Sequence, residues 1–212
     1  QHGARVAAPP LEGVGPPRPL LEASSGGTSI VSGLGIFTGG VNPRAVGVLW
    51  KAGEHSLVDD VHFHSYAAVP QDVRDALYGG GARGPAGPRG RWGAQYPSLW
   101  VTRGGGGTFN GIWTPNTYAQ SGFYVSDTKT PGTVLQLSAE HHGRVEIGLN
   151  RVENWELHAP QTEQEVGESP DALSLDIRHS RNILITNYHG YRVTRTYKPA
   201  PMLATGWKVV DD

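Results

Sequence analysis

The sequence predicts an all-β chain wound as a right-handed parallel β-helix, a solenoid of irregular coils, and three observations carry that prediction. Short alternating strands recur from Thr28 to Tyr188, each closed by glycine or a small polar turn. Four segments repeat one form: an alternating strand, a small turn, then Leu57, Phe109, Val152 or Ile183 opening a second strand. Their spacing is unequal, which insertions at the turns explain. Composition agrees, because 30 glycines and 16 prolines among 212 residues, with 37% hydrophobic, suit many short strands better than long helices. Strand count alone also admits a jelly roll or sandwich.

Residues 1–27 carry Pro9, Pro10, Pro16, Pro17 and Pro19, end in Ser24, Ser25, Gly26 and Gly27, and show no apolar period. They read as an extended arm, leaving 28–212 as a single β-helix domain. Strands are expected over Ile30 to Phe37, Ala45 to Trp50 and Leu57 to Phe63. From about 64 to 97 the order breaks into an inserted loop. Within it Gln71 to Tyr78 suits a short helix, and Gly79 to Gly93 reads GGGARGPAGPRGRWG. Four Gly-X-Y triplets are too few for a triple helix, so neither collagen nor an arginine-glycine RNA tail displaces the loop reading.

Strands resume at Ser98 to Thr102. Gly104 to Gly107 resemble a phosphate cradle, but no Gly-Lys-Ser/Thr ending follows, and a tight corner between close backbones is the better reading. Further runs cover Thr108 to Trp113, Gly122 to Val125, Thr133 to Leu137, Ala172 to Ile177 and Asn182 to Tyr188, with Gln164 to Pro170 loop-like.

Charge and cysteine usage narrow the partners. Eighteen basic and 19 acidic residues give a net charge of −1, which leaves no footprint for nucleic acid or an anionic membrane, while a neutral polysaccharide or oligosaccharide fits. No apolar run approaches the roughly 18 residues that span a bilayer. There is no cysteine, so disulfide and thiolate chemistry are excluded. The chain starts at Gln1 and not methionine, so either an export signal has been removed or it belongs to a longer protein.

The chemistry concentrates in Leu137 to Glu163, LSAEHHGRVEIGLNRVENWELHAPQTE. Glu163 follows Glu140 by 23 residues, within the repeat length of a stacked coil. In one column, carboxylates about 4.8 Å apart cannot both ionise freely, so one pKa should rise, and a raised carboxyl beside an ionised one is what glycosidic cleavage uses. On spacing alone they are equally two surface acids at strand ends. Only one of His141 and His142 can join Glu140, since adjacent strand residues face opposite ways. In DDVHFH, His62 and His64 share a face, but spacing places no third ligand. A Ser-His-Asp arrangement lacks its Gly-x-Ser-x-Gly elbow. Among Trp92, Tyr96, Trp100, Trp113, Trp155, Tyr188 and Tyr191, most are expected in the core, with Trp92 and Tyr96, in or beside the loop, free to stack on sugars.

At this point a family resemblance enters. Gln95 to Gly132, QYPSLWVTRGGGGTFNGIWTPNTYAQSGFYVSDTKTPG, followed by LSAEHHGRVEIGLNRVENWELHAPQTEQE, resembles the glycoside hydrolase family 55 type of pectate-lyase-like β-helix. Similarity is clearest from about Ala45 to Asp60 and from Gln95 to Pro199. The resemblance implies two tandem β-helices that cut β-1,3-glucans with inversion, Glu163 as the general acid and Glu140 positioning or activating water. Gln161, His141 and Tyr191 are expected substrate contacts beside them. Inversion needs about 6.5–9.5 Å between carboxyls, so the two side chains must diverge from their column. The chain departs from the family in its length, and Gln164 to Glu168 replace a tyrosine-bearing stretch. A second β-helix domain or another copy of the chain is therefore an expected partner. The expectation is a secreted or periplasmic glycoside hydrolase without cofactor or metal. Its rival is a β-helix that binds glycan or serves as a structural domain. A polysaccharide lyase comes third, because no cluster offers calcium ligands with a basic proton acceptor.

Overall fold

The computed structural model describes residues 15–40, 42–64, 95–165, 173–193 and 207–210. These form β1 (Arg18–Glu22), β2 (Ile30–Phe37), β3 (Ala45–Trp50), β4 (Leu57–His64), β5 (Leu99–Val101), β6 (Gly107–Thr114) and β7 (Ser121–Thr128). The order continues with β8 (Gly132–Glu140), β9 (Val145–Glu165), β10 (Leu173–Arg178), β11 (Arg181–Thr186), β12 (His189–Val193) and β13 (Trp207–Val210). From β1 to β8, sequence neighbours do not pair. Instead β3 lies between β1 and β5, and β4 between β2 and β6, all in parallel register. Each coil thus lays one strand in a first sheet, turns, lays one in a second sheet, and returns a rung higher. The stacked-coil expectation holds: the chain is a parallel β-solenoid, all-β among the described residues.

Long β9 serves both sheets. Its first part pairs with β7 and β10, and its second part with β8, β11 and β12. Inward residues stack in columns, as in Val48, Leu99, Phe123, Ile147 and Leu175, or Val58, Phe109, Val134 and Leu157, all essentially without solvent contact. Rings fill the middle: Phe109 meets Phe123 at 5.4 Å and Trp155 at 5.5 Å between centroids. Each such side chain contributes about 1.5–3 kcal/mol on burial. The indoles of Trp50 and Trp155 donate to the carbonyls of Gly106 and Thr130, both at 3.0 Å, so neither indole N–H is stranded inside.

The second sheet bends at a ladder of left-handed residues. Gly33, Asp60, Gly111, Gln136, Ala159 and Asn187 occupy successive rungs, each with φ between 50° and 68°. One such residue per rung turns the strand without breaking the pairing on either side. The Gly104 to Gly107 corner is as tight as expected. A Cβ at Gly106 would lie 2.5 Å from the Pro131 carbonyl oxygen, and one at Gly107 2.4 Å from that of Ser56.

One boundary moves. Residues 18–22, expected within a loose arm, form β1, with Arg18 N–H donating to the Arg44 carbonyl at 2.7 Å. The described strands pair β1 on one side only, with β3, and that position tolerates Pro19. The expected helix at 71–78, the glycine loop at 79–93 and Trp92 lie outside the described residues.

Candidate functional site

Beyond the bend, the second sheet presents an outward face of polar and aromatic side chains. In one column stand Gly35, His62, Trp113, Ser138, Gln161 and His189; in the next Phe37, His64, Glu140, Glu163 and Tyr191. The residues between them, Phe63, Thr114, Ala139 and Thr162, point inward and are fully buried. Alternation therefore sends Glu140 and Glu163 outward and their neighbours Ala139 and Thr162 inward.

Glu140 and Glu163 are direct register partners on adjacent rungs. An oxygen of each and a ring nitrogen of His141 all lie within 4.8 Å of one another. These three half-buried residues are the donor set that could hold a metal ion. Alternation alone would turn His141 away from Glu140. Its φ of 68° takes it out of the pleat, and its imidazole Nε2 sits 3.7 Å from a Glu140 oxygen while its backbone N–H donates to the Glu163 carbonyl. His142 is consequently the histidine that goes inside.

Each carboxylate has its own donors. Ser138 Oγ donates to Glu140 Oε1 at 2.6 Å and also contacts the Gln161 side-chain amide oxygen Oε1. The His141 hydrogen bond, helped by Ser138 and the Trp113 indole, holds the Glu140 carboxyl below its ordinary value against the opposing effect of burial. Tyr191 donates its hydroxyl to Glu163 Oε2 at 2.7 Å, and that bond pushes the phenol up to about 12. At Glu140 the expected rise does not occur, because hydrogen bonds to its ionised form outweigh burial. Nor do the side chains diverge as inversion requires: an oxygen of each lies within 4.8 Å of the other, short of the about 6.5–9.5 Å of inverting enzymes.

Behind the site lies a second titratable group set, wholly enclosed. His142 Nδ1 is 2.5 Å from Glu146 Oε2, Glu146 also accepts the His142 backbone N–H, and His142 Nε2 is 3.0 Å from the Thr114 hydroxyl. Burial drives the His142 pKa well below 6.5, which leaves the ring neutral, donating from Nδ1 and accepting at Nε2.

Of the residues expected at the site, Glu140, His141, Gln161, Glu163 and Tyr191 converge. Tyr96 does not. It lies on the outer face of the other sheet, packed on Val46 and Leu49, stacked on Trp100 at 5.6 Å, with its hydroxyl donating to the Gly15 carbonyl. Its apolar ring gains more from that cover than from solvent. Among the described residues the exposed large aromatics are instead Trp113, 36% exposed, and Tyr191, 40% exposed. Trp113, expected in the core, stands outward because alternation on β6 sends Ile112 and Thr114 inward on either side of it, and nothing local marks it or Ser138 as a neighbour of Glu140. Asp59, from the DDVHFH motif, is taken up by Asn110 and Ser32, while His62 and His64 face outward together beside Trp113. Comparison of the chain with protein-family models, curated proteins and solved structures finds no match.

Proposed function

We propose that the chain is a carbohydrate-active β-helix protein that hydrolyses a neutral glycan at the Glu140–Glu163 pair. The observation that carries this reading is the facing of the two carboxylates, within 4.8 Å, on a half-open surface rimmed by exposed Trp113 and Tyr191. Two carboxyl groups with different donors are the minimum equipment for glycosidic cleavage, and aromatic rims suit sugar rings. The resemblance to glycoside hydrolase family 55 supports the neutral β-glucan class, and a polysaccharide substrate suits an exported protein.

The short separation argues for a double displacement instead of the inversion that the resemblance implies. Glu140, kept ionised by His141, Ser138 and Trp113, would bond to the anomeric carbon as the bond to the leaving oxygen breaks. Glu163 would deliver its proton to that oxygen. Water would then give a proton back to Glu163 and its oxygen to the anomeric carbon, freeing Glu140.

A second reading, glycan binding without catalysis, is favoured by one specific feature. Tyr191 donates its hydroxyl to Glu163 Oε2, so one oxygen of the proposed acid is already engaged within the protein and is not free to face a leaving group. A reducing-sugar assay on laminarin, xylan and pectin separates the two. Hydrolysis that falls at least about 100-fold in Glu163→Gln, with the starting anomer retained in the product, supports the first. Full activity in that variant refutes the acid role. Binding without product supports the second reading, and unsaturated product from pectin would point to a lyase.

A further inference from the structure

We infer that His62, His64 and Trp113 form a second sugar-binding platform beside the carboxylates, so that the site receives a glycan chain lying along the solenoid axis. The identity of the ligand rests on the proposed function; the platform itself rests on geometry. His62 on β4 is the register partner of Trp113 on β6. The three rings meet nearly at right angles, with centroids 5.6 Å apart for His62 and Trp113, 6.1 Å for His64 and Trp113, and 6.0 Å for the two histidines. Edge-to-face packing of this kind holds the rings in place against one another.

The platform is continuous with the catalytic pair. Trp113 lies one rung from Ser138, and its indole hydrogen-bonds Glu140. One rung further away the floor drops at Gly35, an exposed position over which the His64 imidazole leans, 3.4 Å from where a Cβ would stand. From β2 to β12 the stripe crosses strands spaced about 4.8 Å apart, roughly 24 Å in all. That is the footprint of a chain and not of one sugar.

Charge selects the class. Neither column carries a lysine or arginine, so a uronate or phosphate would find two carboxylates and no permanent cation, and burial together with His62 lowers the His64 pKa toward the neutral ring. Amide, hydroxyl and aromatic groups remain, which suit neutral hydroxyl-rich rings.

The test is chain-length dependence. Kinetics and, separately, tryptophan-fluorescence binding are measured with neutral β-glucan oligosaccharides from disaccharide to hexasaccharide on the full chain, on His62→Ala and His64→Ala, and on the milder His62→Gln. The binding arm also uses Glu163→Gln, which traps substrate if hydrolysis occurs. The platform predicts that affinity rises with length and that the histidine variants lose about tenfold on the hexasaccharide, through KM and binding, with a much smaller loss on the disaccharide. Leu135→Ser, 40% exposed on the stretch before the bend, should keep the wild-type profile. If no oligosaccharide is hydrolysed but length-dependent binding is lost in the histidine variants, the hydrolase reading fails and the platform stands. Affinity independent of length, equal losses at every length, or no binding at all overturns it.

Discussion

Two neighbouring groups on the same turn, one outside the coil and one inside it, use similar residues to opposite ends. Outside, Glu140, His141 and Glu163 are half-buried and meet Ser138, Tyr191 and Trp113, so their polar atoms lie where a ligand can reach. Inside, His142 and Glu146 have no solvent contact, and each ring nitrogen of His142 has its partner. A titratable group becomes available for chemistry when the fold leaves it accessible and poised. Enclosed and paired, the same group serves the architecture, because a buried charge or N–H without a partner costs too much to keep.

The contrast is broken most severely from within. Glu146→Ala strips the partner from both the ring and the backbone N–H of His142, and should cost about 3–5 kcal/mol in urea unfolding. Gly122→Ala tests the same enclosure, since its Cβ would stand 2.7 Å from His142 Cε1 and 2.8 Å from Thr114 Cγ2. If both variants unfold like the wild type, the inner group is dispensable.

The next effect is on pH. His142 is held neutral when folded, with a pKa well below 6.5, and burial is the cause. Below about 6.5 the unfolded chain therefore takes up a proton that the folded chain refuses, so stability falls as pH is lowered, by up to about 1.4 kcal/mol per pH unit from this residue. His142→Gln should flatten that slope between pH 6.5 and 5.5. A similar substitution at His141, outside, should leave the slope in place.

A smaller effect tests the outer pair directly. The Tyr191 phenol, pushed up to about 12 by its bond to Glu163, should drop toward 10 in Glu163→Gln when followed by ultraviolet absorbance. An unmoved titration would show that the hydroxyl does not rest on that carboxylate. Smallest is the bend that carries both groups. Ala159, exposed with φ of 52°, holds one rung of the left-handed ladder. Ala159→Gly should stabilise by up to about 1 kcal/mol, and Ala159→Val should destabilise by a comparable amount.

Much of the fold was open to reading. Ala45 to Trp50 is β3 residue for residue, and the alternation of Val145, Ile147 and Leu149 marks the first part of β9. The glycine run at 104–107 reads as a corner because a Cβ at Gly105, Gly106 or Gly107 would stand 2.4–2.6 Å from a neighbouring carbonyl oxygen. Glu140 and Glu163 were legible as a pair from the coil length that separates them. Tyr96 was misread because its position beside a loop says nothing of which sheet covers its ring. The lowered pKa of Glu140 was not legible, because its donors Ser138, His141 and Trp113 come from two rungs and a left-handed backbone.

The sequence by itself determined the strands, the turns between them and the separation of the two glutamates, because alternation and glycine placement act locally along the chain. Only the tertiary structure decided that Glu140 faces Glu163, that Tyr191 reaches over from the next coil, and that His141 turns out while His142 turns in. Those contacts depend on how one coil registers on the next and on a positive φ at His141, and the coil register is summed over whole turns of backbone and not encoded at any single residue.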